Sequence, residues 1–376
     1  MTKGEVWRFR ADIPLRRELK AQRAARFARM PLVSVVVPLY NTPPKFLREM
    51  MRSVLGQTYA GLELVLADAS DAAHGEVEKA VRAVRDARVR YIRLAKNGGI
   101  AENTNAALAA AQGEYIALLD HDDVLTPNAL YEAVKAVNEQ GADFVYSDEI
   151  VLDSTLKKLG EYHFKPDFSP DTLRGCNYIT HLAVFSRALL AAAGGGERAE
   201  FDGAQDFDLI LRLTERAQKV AHVPKVLYWW RGHGGSTASG MQAKPYALAA
   251  GAAAVEAQLL RLGMPGRVEP IPGQPPAHTA PGTDVTRPGR VTVLSHRTIE
   301  TWPLSGKPVP ERRLGRSGGA GAGKQFHTGR NVRLLQAGTA AVPELPRAHL
   351  QRRLQFQRHQ QFRRAACHGR TPAAAE

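Results

Sequence analysis

Tyr115-Ile-Ala-Leu-Leu-Asp-His-Asp-Asp123 is the stretch on which the reading of this chain turns. An apolar run of this length, with no alternation, reads as a strand buried on both faces of a sheet. It stops abruptly at Asp120-His-Asp-Asp123, three carboxylates in four residues. Upstream the same design repeats. Val33-Ser-Val-Val-Val37 is a β-branched run stopped by Pro38, and Lys45–Leu55 is helical. Leu62-Glu-Leu-Val-Leu66 is a second strand ending in Asp68-Ala-Ser-Asp71, followed by a helical stretch over Glu76–Val84. Val89–Leu94 is a third strand and Asn103–Ala111 an Ala-rich helix. Strand–helix alternation of this kind predicts a doubly wound α/β sheet. In such sheets ligands bind at the carboxyl ends of the strands, which is where Asp68, Asn97 and Asp120–Asp123 fall.

Downstream the pattern loosens. A helix is expected from Asn128 to about Asn138, then a short strand at Phe144-Val-Tyr146. Tyr162–Asn177 reads as an irregular, aromatic, acceptor-side loop. Phe201–Arg216 carries Gln205-Asp206 at the start of an amphipathic helix, Val226–Trp230 is a strand, and Lys244–Leu262 is a closing helix.

Each chemical motif has a structural alternative. Three clustered carboxylates repel one another, and a hard divalent cation would relieve that cost. Equally, Asp122 or Asp123 could cap the next helix. Asp68 can accept hydrogen bonds from a nucleobase or ribose, or make an Asx-turn. Asn97-Gly-Gly-Ile-Ala101 with Asn103-Thr-Asn105 suits close backbone approach to a nucleotide, or a glycine turn and helix cap. Asp206 is a candidate general base, or a helix-start acid favoured by the dipole. Arg231-Gly-His233-Gly-Gly-Ser236-Thr237 could face a leaving diphosphate or supply a metal ligand, or be a solvated loop.

Composition limits the class. The 376 residues carry 51 Lys+Arg against 37 Asp+Glu, a net +14. Residues 271–376 hold 17 Lys+Arg against 5 Asp+Glu, a surplus of +12, which leaves +2 for residues 1–270. That last segment also has 11 of the 23 prolines and none of the 10 tyrosines, with one weak strand at Val291–Leu294. It reads as a disordered or poorly folded tail. Gly318-Gly-Ala-Gly-Ala-Gly-Lys324 has P-loop spacing, but Gln325 stands where Ser or Thr would hold Mg²⁺, and no convincing strand precedes it. Cys176 and Cys367 are far apart, which argues against a disulfide framework or zinc cluster. No stretch approaches the apolar length needed to span a bilayer. A cytoplasmic, reducing setting is expected. Residues 1–30 read as a basic helical lead-in.

The set Val35-Val-Val-Pro-Leu-Tyr-Asn41, Asp68-Ala-Ser70, Asn97-x-Gly-Ile-Ala101, Asp120-His-Asp-Asp123, Gln205-Asp-Phe-Asp208 and Arg231-Gly-His233 resembles glycosyltransferase family 2, over about Leu32–Leu262 and in the family's order. Its members that build O-antigen and other bacterial cell-surface polysaccharides are the closer likeness. The resemblance implies a GT-A fold, a Rossmann-like mixed sheet flanked by helices. It also implies a nucleotide-diphosphate sugar donor, a divalent metal (Mn or Mg) and inversion at the anomeric carbon. Position by position, Asp68 would contact the base and Asp120 the ribose or donor. Pro38, Tyr40, Asn41, Asn97, Gly99 and Asn105 would line the nucleotide side. Asp122 and His233 would hold the metal, Arg231 would face the diphosphate, and Asp206 would deprotonate an acceptor hydroxyl. Ala69 and Gln205 depart from the family's frequent Asp and Glu. The expected acceptor is a growing glycan or a lipid-linked one, which allows peripheral association at the cytoplasmic face of the inner membrane.

The expected domains are the lead-in 1–30, the transferase domain 31–268, and the tail 269–376, read as disordered or as a degenerate or frame-shifted remnant of a second domain. The rival readings are a nucleotide-sugar-binding protein without catalysis and a basic nucleic-acid binder acting through the tail. The location of the charge makes the latter weak.

Overall fold

The computed structural model describes residues 13–233, 245–264, 266, 268–270 and 291–293. The chain divides into two units, Met1–Pro303 and Leu304–Glu376, and every described residue belongs to the first. The P-loop-like glycines, Cys367, most of the basic tail and the loop after His233 lie outside the described residues.

Four parallel strands make one half of the sheet: β1 (Val33–Leu39), β2 (Leu62–Asp68), β3 (Val89–Arg93) and β4 (Tyr115–Leu118). β1 lies between β2 and β4, and every residue of β1 and β2 is buried. Alternate side chains serve the two faces. Val33, Val35, Val37 and Leu39 join one core with Leu64 and Leu66, whereas Val36, Val65 and Ala67 join the other. This two-sided burial explains why these strands read as continuous apolar runs. β3 is the edge, and its Arg90 and Arg93 keep that edge wet.

The other half is antiparallel in part. β5 (Val124–Leu125), β6 (Phe144–Asp153), β7 (Leu159–His163), β8 (Ala183–Ser186) and β9 (Val220–Gly232) continue the sheet, giving the order β3-β2-β1-β4-β8-β6-β9-β5 with β7 on β6. The mixed sheet that the resemblance implies is therefore present, and it replaces the purely doubly wound pattern suggested by alternation alone. One core is closed by α2 (Pro44–Leu55), α3 (Glu76–Arg82) and α5 (Ala129–Gln140). The other is closed by α4 (Ile100–Ala110), α8 (Gln205–Arg216) and α9 (Pro245–Arg261). In α8 the apolar run Phe207, Leu209–Leu211 and Leu213 is buried to 2% exposure or less. Such burial stabilises by roughly 1.5–3 kcal/mol per side chain.

α1 (Arg16–Ala24) buries none of its residues and touches the domain through Gln22, whose Oε1 accepts from the Thr58 hydroxyl. The segment expected to be irregular contains the end of β7 (Tyr162 and His163) and the short helix α6 (Pro170–Gly175), capped by the Ser169 hydroxyl. α7 (Arg187–Ala192) follows β8 directly. The weak strand near Val291 is present as β11 (Val291–Val293), parallel to β10 (Val268–Pro270). Among the described residues no helix is long and apolar enough to cross a membrane.

Candidate functional site

The carboxyl edge of β1, β2 and β4 gathers the expected residues. Asp68 closes β2 and is fully buried. Its carboxylate accepts from the Ser70 amide at 2.8 Å, the Tyr91 hydroxyl at 2.7 Å and the Arg93 guanidinium at 2.9 Å. Burial works against its charge, but these bonds outweigh burial and hold its pKa below the usual value. The carboxylate, expected to contact a base, helps to fix the turn after β2.

Pro38 is buried in β1, and Tyr40 is 41% exposed just beyond it. Asn41 has a positive φ of 50°. Its Nδ2 donates to Asp71 at 2.8 Å, and the Asp71 amide returns a bond to Asn41 Oδ1 at 2.9 Å.

Asn97 Oδ1 accepts from the Gly99 amide at 3.0 Å and from Asn103 Nδ2 at 2.8 Å. Gly99 sits at φ +93°, just before α4, a backbone state that side chains resist. This places the start of α4 at Ile100, three residues before the expected start. Asn105 is turned inward. Its amide bonds both backbone groups of Glu197, at 2.7 and 2.8 Å. It clamps the loop at Glu197.

The three aspartates after β4 do different work. Asp123 is fully buried, accepting from the Tyr228 hydroxyl at 2.5 Å and the Arg231 amide at 2.7 Å. Burial, with Asp122 and Asp120 nearby, pushes its pKa well above the usual value. Asp122 Oδ2 lies 2.7 Å from His233 Nε2, with both side chains partly exposed. Asp120 is half exposed and lies 3.5 Å from His181 Nε2. Desolvation opposes its charge, but the bond and charge of His181 outweigh it and the pKa falls.

Arg231, expected on the diphosphate side, is 0% exposed. Nε donates to the Asp122 carbonyl at 2.5 Å, Nη1 donates to the Ser154 carbonyl at 2.8 Å, and Nη2 pairs with Glu49 at 2.8 Å. The guanidinium lies 4.3 Å from the Phe46 ring centroid. It ties the Asp120–Asp123 loop to β9, α2 and the turn after β6.

Asp206 opens α8 and accepts from Asn177 Nδ2 at 3.0 Å. Burial raises its pKa, His181 works against that rise, and Asp120 adds to it. Asp206, Asp120 and His181 therefore share one electrostatic neighbourhood, as the sequence motifs require. Asp208 of the same motif faces away. It is fully buried between Arg198 and Arg212.

Residues 34–189 match the model described as Glycosyl transferase family 2. This segment is a family 2 glycosyltransferase domain. Uncharacterized protein y4gI of Sinorhizobium fredii is 41% identical over 289 residues, 74% of this chain and 29% of that protein. O-antigen biosynthesis protein RfbC of Myxococcus xanthus is 37% identical over 264 residues, 69% of this chain and 20% of RfbC. The chain thus spans less than a third of either relative. In fold, a crystal structure of S. aureus TarS 1-349 in complex with UDP-GlcNAc superposes with a TM-score of 0.51 at 19% identity, covering 61% of this chain and 66% of that one. The mixed sheet with flanking helices is GT-A-like.

The glycosyltransferase domain also uses residues that sequence reasoning missed. His181 stacks on Tyr228 with centroids 4.4 Å apart, and its Nδ1 lies 3.1 Å from Glu149. Glu149 is buried, facing Lys165 at 3.1 Å and His163 at 2.8 Å. Burial opposes its charge, but Lys165, His181 and His163 hold its pKa well below the usual value. Burial likewise opposes a charged His181, and Glu149 and Asp120 overcome it. Nothing in Tyr178-Ile-Thr-His181 marks this histidine as different from a loop residue.

Two groups could hold a divalent cation. Asp120, Asp123 and His181 offer ligand atoms within 4.8 Å of one another. Both Asp123 oxygens are already engaged, however, and burial raises its pKa. The Asp122–His233 pair fits better, since one carboxylate oxygen and one ring nitrogen converge at 2.7 Å on a partly open surface.

Proposed function

We propose that this chain transfers a sugar from a nucleotide-diphosphate donor to a hydroxyl of a growing glycan or lipid-linked acceptor, with inversion, in cell-surface polysaccharide synthesis. The observation that carries this is Asp206. A carboxyl with an elevated pKa, oriented by Asn177, shares the crevice with Asp120 and His181. Raised basicity suits a group that must take a proton from an alcohol near neutral pH.

Asp122 and His233 would hold Mn²⁺ or Mg²⁺, which when bound supplies charge stabilisation to the leaving diphosphate. Asp120, oriented by His181, serves the ribose or donor side. The turn of Asn41, Ser70 and Asp71, fixed by Asp68, shapes the nucleoside end beside Tyr40. The acceptor oxygen bonds to the sugar C1 as the bond from C1 to the diphosphate oxygen breaks, and the acceptor proton passes to Asp206. The acceptor brings the chain to the cytoplasmic face of the membrane peripherally.

The test is a donor screen with Mn²⁺ or Mg²⁺, reading released nucleoside diphosphate. Asp206→Asn is expected to lose at least about 100-fold in turnover while still binding donor, in line with the usual worth of a general base. Asp122→Ala is expected to lose the metal response. Full activity in Asp206→Asn refutes the role. Donor binding by the wild type with no turnover favours a non-catalytic nucleotide-sugar binder.

A further inference from the structure

The loop between α7 and α8 is held with unusual economy. Arg212 donates to the carbonyls of Ala193 at 2.9 Å, Gly195 at 3.0 Å and Gly196 at 2.6 Å, and is itself fixed by Asp208. Asn105 clamps both backbone groups of the next residue, Glu197. A Cβ on Gly196 would stand 2.0 Å from Asn105 Oδ1, so the clamp requires glycine there. All this rigidity positions one side chain. Glu197 is only 7% exposed, and its Oε2 has no hydrogen-bond partner. The Oδ1 of Asp202, further along the loop, is also buried and unpartnered. The Asp202 Oδ2 lies 3.3 Å from where a Gly99 Cβ would be, so this carboxylate sits over the glycine turn at the start of α4.

Buried unpaired carboxyl oxygens cost stability. Glu197 is electrostatically adjacent to Asp206 and Asp120, the base and the donor-side acid of the proposed reaction. Burial and these two charges outweigh a hydrogen bond with the Thr104 side chain and push its pKa well up, so the carboxyl can donate as well as accept a hydrogen bond. Resting on the function proposed above, we infer that Glu197, with Asp202 beside it, is the subsite that binds ring hydroxyls of the donor sugar. A ring seated between Asp120 and Asp206 gives Glu197 Oε2 and Asp202 Oδ1 their missing partners. The loop clamp by Asn105 and Arg212 is then the device that fixes which hydroxyl pattern is accepted.

The experiment measures binding by the full chain in Mg²⁺, with UDP and GDP as parent nucleotides and the UDP- and GDP-sugars as probes. The wild type is expected to bind one sugar nucleotide about 10-fold or more tighter than its parent nucleotide. Glu197→Ala should lose that margin while keeping affinity for the parent nucleotide within about 2-fold. Glu197→Gln should restore part of it. A deoxy donor lacking the recognised hydroxyl should bind weakly to the wild type and be no weaker with Glu197→Ala. Removal of a buried, unpartnered acid should leave the melting temperature of the unliganded variants at or above that of the wild type. A retained sugar margin in Glu197→Ala overturns the inference. So does an equal loss of nucleotide and sugar-nucleotide affinity, or a lowered melting temperature in Glu197→Gln. A wild type that binds neither nucleotide overturns the proposed function itself.

Discussion

Arg231→Met separates a structural arginine from a ligand-binding one. The guanidinium has two carbonyl acceptors, one ion pair with Glu49 and the Phe46 ring, and it is 0% exposed. Breaking a buried pair costs about 3–5 kcal/mol because the partner is left uncompensated. Glu49 is 30% exposed on its side chain and recovers some hydration, which lowers that figure. The two stranded carbonyls add about 1 kcal/mol or more, and the methionine side chain recovers part of the packing. The expected loss is about 3–4 kcal/mol. At about 2–4 °C per kcal/mol for a domain of this size, the melting temperature falls by about 6–16 °C. Lysine keeps the charge but loses the fork, so Arg231→Lys should fall between Met and wild type. Scanning fluorimetry and urea unfolding of both variants, without donor, read the effect directly. An unchanged melting temperature with only a raised donor KM would refute this reasoning and return Arg231 to the diphosphate.

His163 should give the domain a pH-dependent stability. Burial opposes its charge, but bonds from Glu149 and Glu161 raise its pKa to about 9. A raised folded-state value means that stabilisation is complete below the unfolded value near 6.5 and is lost as pH climbs through about 9, with a ceiling of about 3 kcal/mol. Urea midpoints at pH 6 and pH 9.5 should differ in wild type and the gap should narrow in His163→Gln, with His181 supplying the remainder; an unchanged gap in the variant would place the effect elsewhere. Gly99→Ala should cost about 1–3 kcal/mol, because φ is +93° and the new methyl meets Asp202 at 3.3 Å. Thermal melts check this, and an equal melting temperature would mean that the turn can relax.

The parallel half of the sheet was legible because burial on both faces leaves an unbroken apolar signature in β1, β2 and β4. β6 was read as three residues and runs to ten, Phe144–Asp153. Its continuation, Ser147-Asp148-Glu149, looks like a turn, yet all three residues are buried. Their partners come from distant parts of the chain: His222 for Asp148, and His163, Lys165 and His181 for Glu149. Local pattern cannot register a charge that is compensated from outside the segment. Glu197 was missed for the same reason. In Gly194-Gly-Gly-Glu197 nothing distinguishes a buried acid from a solvated one, and its burial depends on Asn105 and Arg212. Asp206 was singled out only through the family resemblance, because an acid at the start of a helix is by itself an ordinary helix-start residue.

The Asp120–Asp123 loop shows why the carboxylate cluster could be read both as a metal site and as a turn. The three carboxylates sit in different surroundings. Burial pushes the pKa of Asp123 up, and it receives Tyr228 and the Arg231 amide, so it acts as the structural turn residue. His181, whose own pKa Glu149 raises, lowers the pKa of Asp120. Asp122 is left beside His233, without the two protein hydrogen bonds that engage Asp123. On the function proposed above, the sequence cluster divides into one residue for the fold, one for the donor side and one for a cation. Replacing Asp123 should therefore damage stability, and replacing Asp122 should damage metal response. The same substitution one position apart separates the two readings.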